Sequence, residues 1–97
     1  MNGSIYIRAT LPQSIALDES VNLANKMRAK LRSFPEVKQV MSQTGRPNDG
    51  TDATGFYNIE FHVDIYPEKD WESGFTKLEL IDKMQHELEI YPGIDFN

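Results

Sequence analysis

No cysteine occurs among the 97 residues. Disulfides, thiolate metal sites and cysteine nucleophiles are thereby excluded, while the compartment stays open. Basic charge is also short: 10 Lys and Arg stand against 15 Asp and Glu, for a formal net charge of -5. The basic residues are scattered, and a nucleic-acid groove needs the reverse balance, so neither RNA nor DNA is expected as a partner. No apolar run approaches the ~18 residues that cross a bilayer. A basic segment followed by an apolar one, the pattern of a signal peptide, is missing from these residues. Gly45, Gly50 and Gly55 do not lie between a strand and a helix, so they make no phosphate loop, and no serine-centred elbow is present. The segment is expected to be soluble, and its length suits one domain that buries roughly 65% of its unfolded surface.

What the chain does have is an internal repeat. Leu31-Arg32-Ser33-Phe34-Pro35-Glu36-Val37 returns as Leu88-Glu89-Ile90-Tyr91-Pro92-Gly93-Ile94. In each copy an apolar helical stripe ends in a leucine. An aromatic-proline pair and a β-branched residue that opens a strand follow. Proline lacks the amide a helix needs and pushes the preceding residue out of the α region, so both helices stop there.

Alternation fills in the strands. Ile5, Ile7, Ala9 and Leu11 alternate with Tyr6, Arg8 and Thr10 until Pro12. Ile59, Phe61, Val63 and Ile65 alternate with Asn58, Glu60, His62, Asp64 and Tyr66 until Pro67. Both are period-two patterns of half-buried strands. Val37 to Thr44 reads as a strand whose Val37 and Val40 differ in parity, which a bulge would repair. Val21, Ala24, Met27, Leu31 and Phe34 form the stripe of a first helix, with Asp18 as its expected N-cap. Thr76 and Glu79 form a capping box for a second helix, stapled by Phe75 and Leu80 and continued by Ile81, Met84 and Leu88. The predicted fold is α+β: a ferredoxin-like split βαβ sandwich, β-α-β-β-α-β, with a four-stranded antiparallel sheet in the order 4-1-3-2 and both helices on one face. Residues 1–97 form a single unit. Its last strand has only Ile94 to Asn97, short against the usual five or six residues, which suggests a fragment of a longer protein.

In this topology Tyr6, Arg8, Thr10, Asn58, Glu60, His62 and Asp64 line the sheet face away from the helices. Glu60, His62 and Asp64 point the same way, and two carboxylates with an imidazole suit a divalent ion such as Zn²⁺. Same-face neighbours along one strand are ~7 Å apart, so the plainer reading is a solvated sheet face. Asp49 and Asp52 in the loop from Gly45 to Gly55 are further candidate ligands, though Asp beside Gly is also ordinary turn chemistry. His86 reads as a surface histidine. Met27, Met41 and Met84 read as core filler, and Trp71 as a lid over the core edge.

The run Gly3-Ser4-Ile5-Tyr6-Ile7-Arg8-Ala9-Thr10-Leu11-Pro12 is followed in order by Phe34-Pro35-Glu36-Val37, by Gly45-Arg46 with Thr51-Asp52, and by Pro67-Glu68-Lys69-Asp70-Trp71. This order resembles a periplasmic porter subdomain of heavy-metal efflux pumps of the resistance-nodulation-division class, of the cobalt-zinc-cadmium and copper-silver types. It looks like the first subdomain of the second periplasmic half. The resemblance implies a ferredoxin-like subdomain within a proton-driven, homotrimeric pump of the inner membrane of a Gram-negative bacterium. The pump would work with a periplasmic adaptor and an outer-membrane channel, and a metal cation would be its cargo. The subdomain would help form the metal-entry cleft, without catalysis and without a resident cofactor. Copper-silver members place methionines on the sheet face of this subdomain. The nearest positions here are Arg8 and Asn58, which offer no thioether, so Zn²⁺, Co²⁺ or Ni²⁺ is the expected cargo. Asp52 stands where the family often has an aspartate after threonine. Two other readings share the fold: a stand-alone regulatory domain binding a small ligand, and an acylphosphatase-like hydrolase. The latter lacks its arginine-bearing phosphate loop after Thr10.

Overall fold

The computed structural model describes residues 3–44, 58–91 and 93–96, the last three by their backbone. Strand β1 (Gly3–Thr10), helix α1 (Leu17–Arg32), strands β2 (Val37–Thr44) and β3 (Asn58–Ile65), helix α2 (Lys77–Glu87) and strand β4 (Ile94–Phe96) follow in the expected order. A one-turn 3-10 helix over Glu68–Asp70 lies between β3 and α2. The four strands form one antiparallel sheet in the order β2-β3-β1-β4. This is the split βαβ arrangement, and β4 is the short edge.

Alternation decides which face is dry. Ile5, Ile7 and Ala9 of β1 and Ile59, Phe61, Val63 and Ile65 of β3 are all buried. They pack in one cluster with Ala24, Met27 and Leu31 of α1, with Leu80 and Met84 of α2, and with Leu88 just beyond it. Burying a side chain of this size contributes about 1.5–3 kcal/mol, so this cluster dominates stability.

Helix α1 departs from expectation at its start. Its N-cap is Ala16, which makes no side-chain cap, and Asp18 lies with Glu19 in the first turn. Asp18 therefore acts through its charge near the positive end of the helix dipole rather than as the cap. The core stripe is also rotated: Ser20, Ala24, Met27 and Leu31 are buried, while Val21 is 40% exposed. Met27 and Leu31, the larger apolar groups, set the phase, and counting back by seven from Met27 gives Ser20. The Ser20 hydroxyl donates to the Leu17 carbonyl at 2.8 Å, so its burial leaves no unpaired group.

Helix α2 begins as expected. Thr76 Oγ1 accepts from the Glu79 amide (3.2 Å) and Glu79 Oε1 accepts from the Thr76 amide (2.8 Å). Glu68 Oε1 adds a third bond, accepting from the Lys77 amide at 2.9 Å. Trp71 is only 9% exposed, and its indole Nε1–H donates to the Tyr66 carbonyl at 2.8 Å. The turn from Pro67 to Trp71 thus caps the core edge, as its lid role requires. In β2 the register shifts between Val37 and Gln39, so the bulge exists and falls at Lys38.

The two copies of the repeat end alike. The Phe34 amide donates to the Leu31 carbonyl (3.3 Å) and the Tyr91 amide to the Leu88 carbonyl (3.0 Å). Five residues after each leucine, a backbone carbonyl ties the chain to a neighbouring strand. Tyr66 donates to Glu36 at 3.0 Å, and Thr10 donates to Gly93 at 2.8 Å.

Candidate functional site

The open sheet face carries the sequence candidates in rows set by strand register. Thr10 lies opposite Asn58, Arg8 opposite Glu60, Tyr6 opposite His62 and Ser4 opposite Asp64. From β2, Gln43 lies beside Glu60, Met41 beside His62 and Gln39 beside Asp64. Arg8 and Asn58, named as face positions, both lie on it.

Each candidate has a neighbour of its own. Arg8 Nη2 is 3.9 Å from Glu60 Oε2, and it also donates to the Tyr6 hydroxyl at 3.4 Å. The Arg8 guanidinium lies 5.9 Å from the Tyr6 ring centroid, a cation–π distance. The Tyr6 and His62 rings are 5.1 Å apart and tilted by 54°. The strand thus presents Glu60, His62 and Asp64 on one face without closing them on one point. Among the described residues no group of three or more His, Asp or Glu is arranged to hold a metal ion. Asp49 and Asp52 lie outside the described residues.

Met41 corrects the sequence expectation. It is 59% exposed rather than core, because the bulge at Lys38 sets the parity of β2 and turns Met41 to the open face. Among the described residues of that face it is the single soft donor, and it is paired in register with His62. Met27 and Met84 are fully buried, as expected. His86 is exposed, with Nδ1 3.7 Å from Glu89 Oε1.

Sequence reasoning passed over Glu36. It lies between α1 and β2 and is only 3% exposed. Its Oε1 is buried with no hydrogen-bond partner among the described residues. It lines a cleft of ≈ 410 Å³ with Pro35, Tyr66, Asp70, Trp71, Glu72 and Ser73. A glutamate between a helix stop and a strand gives no sign of burial in sequence. The one available hint is that the second copy of the repeat has Gly93 at this position.

Topology places the chain among ferredoxin-like domains: a dimeric ferredoxin-like protein of unknown function from Thermobifida fusca aligns over the whole chain (TM-score 0.51, 11% identity, 88% of that protein), which speaks to fold alone. The AcrB/AcrD/AcrF family model matches residues 1–97, and the chain belongs to that family. It is 27% identical over 90 residues to the cation efflux system protein CusA of Escherichia coli K12, covering 93% of this chain and 8% of CusA. It is 28% identical over 90 residues to the putative cation efflux system protein SilA of Salmonella typhimurium, with the same coverage. A crystal structure of a heavy metal efflux pump superimposes with a TM-score of 0.88 at 37% identity, over 98% of this chain and 10% of the pump. The chain thus spans about a tenth or less of the relatives it matches.

Proposed function

We propose that residues 1–97 form a porter subdomain of a proton-driven heavy-metal cation efflux pump. The observation that carries this reading is the 37% identity to a heavy metal efflux pump across 98% of the chain, with the same fold. The parent protein is a homotrimer of the inner membrane of a Gram-negative bacterium, with this segment in the periplasm. It hands a metal cation to an adaptor and an outer-membrane channel. No helix among the described residues is long and apolar enough to cross a membrane, so in this reading other segments supply the spans and the proton path.

The segment contributes a wall of the cation path and catalyses nothing. Its open sheet face brings Glu60, His62 and Asp64 to the path, with Arg8 and Asn58 beside them; Asp49 and Asp52 are candidate ligands on the loop. The remaining ligands come from a neighbouring subdomain, because the ~7 Å spacing on one strand does not close around an ion. Carboxylate and imidazole suit Zn²⁺, Co²⁺ or Ni²⁺.

Metal tolerance tests this. The parent gene is expressed in a metal-sensitive bacterium, and growth is measured against Zn²⁺, Co²⁺, Ni²⁺, Cu⁺ and Ag⁺. We expect protection against one or more divalent ions, and its loss in a triple variant Glu60→Ala, His62→Ala, Asp64→Ala that is expressed at the normal level. Protection against Cu⁺ and Ag⁺ alone, abolished by Met41→Ala, would replace the divalent assignment with a soft-metal one. No protection against any metal would overturn the reading.

A further inference from the structure

The backbone of Glu36 does a job that its side chain does not share. Its carbonyl accepts from the Tyr66 amide, as the Gly93 carbonyl accepts from Thr10 in the other copy of the repeat. Gly93 does this with no side chain. The carboxylate of Glu36 is therefore an addition that the turn does not require.

That carboxylate is nonetheless buried, with Oε1 unpartnered among the described residues. Buried polar atoms in native proteins are paired in the great majority of cases, so this oxygen calls for a donor. Among the described residues lining its cleft three are acidic, Glu36, Asp70 and Glu72, and none is basic. The aromatic residues Tyr66 and Trp71 also line it. The Trp71 indole N–H is committed to the Tyr66 carbonyl, which holds the ring in place and leaves Glu36 without a donor from it.

We propose that this cleft seats an arginine side chain carried by another segment of the parent polypeptide. A bare metal ion fits less well, since the described acidic residues form no metal-holding group. A guanidinium carries five N–H donors in a plane, reaches separated carboxylates and stacks on aromatic rings. It also sits at the end of a long, thin side chain, which suits a glutamate that keeps 3% of its surface open. Oε1 itself is closed to solvent, so the guanidinium meets it only as the Glu36 side chain turns toward the cleft. The source follows from coverage: the match spans 8% of CusA, so that relative holds most of its residues elsewhere, and the corresponding residues of the parent polypeptide supply the surface that packs here. The inference rests on membership of the family and is independent of metal as cargo.

The single tryptophan of the chain lines the cleft, so its indole N–H is an unambiguous NMR reporter. ¹⁵N-labelled protein of residues 1–97 is titrated with N-acetyl-arginine methylamide and, in parallel, with the neutral isostere N-acetyl-citrulline methylamide. We expect a saturable shift of the Trp71 indole and of the Glu36 and Tyr66 amides with the arginine compound alone. Glu36→Gln keeps the size of the side chain and should weaken binding about tenfold or more, since a charge-assisted pair becomes a neutral one. Equal binding of the citrulline compound, which is read on the unaltered chain, would overturn the proposal. So would a Glu36→Gln chain that binds as well as the parent, the absence of any saturable shift, or Zn²⁺ displacing the arginine compound from the cleft.

Discussion

Thr10 and Gly93 meet backbone to backbone. The Thr10 amide donates to the Gly93 carbonyl at 2.8 Å, and Gly93 holds φ at +77°, where residues with a side chain are strained. A Cβ on Gly93 would collide with the Thr10 carbonyl oxygen. This contact leads directly into the three-residue strand β4, which pairs with Ile7 to Ala9. Gly93→Ala should therefore cost about 1–3 kcal/mol and loosen β4 first. Denaturant midpoints measure the loss. Hydrogen exchange should show the Thr10 amide exposed before those of β3.

The capping box gives a second expectation. Thr76→Ala removes the acceptor for the Glu79 amide and should cost about 1 kcal/mol. In a domain of this size that corresponds to a fall of about 4–8 °C in Tm. Thr76→Ser keeps the acceptor and should fall much less. Equal losses in the two variants would show that the hydroxyl bond is not what matters at this position.

Two methionines make a matched pair. Met27 is fully buried and Met41 is 59% exposed. Met27→Ala should destabilise by about 2–5 kcal/mol through lost burial and a cavity. Met41→Ala should change stability by less than about 0.5 kcal/mol. Chemical denaturation of both variants distinguishes core from face, and a large loss in Met41→Ala would contradict the parity imposed by the bulge.

Zinc should not bind tightly to residues 1–97 by themselves. Glu60 is next to Arg8, His62 is next to Tyr6, and the spacing along β3 leaves no shared centre. A bound ion would raise Tm by mass action, so a flat Tm across a Zn²⁺ titration is the expected result. A saturable rise that His62→Ala abolishes would mean that this strand holds the ion without help.

The ion pair between Arg8 and Glu60 should add little stability. It is 3.9 Å long, with half of the arginine side chain exposed. Pairs of this kind contribute at most about 1 kcal/mol and are screened by salt. Glu60→Gln should leave Tm almost unchanged at 0.5 M salt, while metal tolerance conferred by the parent protein reports any effect on the cation path.

The element order, the strand parity of β1 and β3 and the capping box were legible in the sequence, because each is set by neighbours within a few residues. The need for a bulge in β2 was legible from the parity of Val37 and Val40, though not its place. Proline ends a helix wherever the chain goes, and Thr76 finds Glu79 one turn away. Strand order followed from the repeat, since two like units fill one layered sandwich in few ways. The paired rows on the open face followed in turn from parity.

Helix phase, by contrast, was decided in three dimensions. Val21 and Ser20 compete for the same core position, and only the packing of Met27 and Leu31 against the sheet turns Ser20 inward. Met41 faces outward because one extra residue in β2 reverses parity downstream of Lys38, and the location of that residue depends on pairing with β3. Glu36 was hidden for the same reason. Burial is a property of what surrounds a side chain, and its surroundings, Tyr66 and Trp71, arrive from residues thirty or more positions away along the chain.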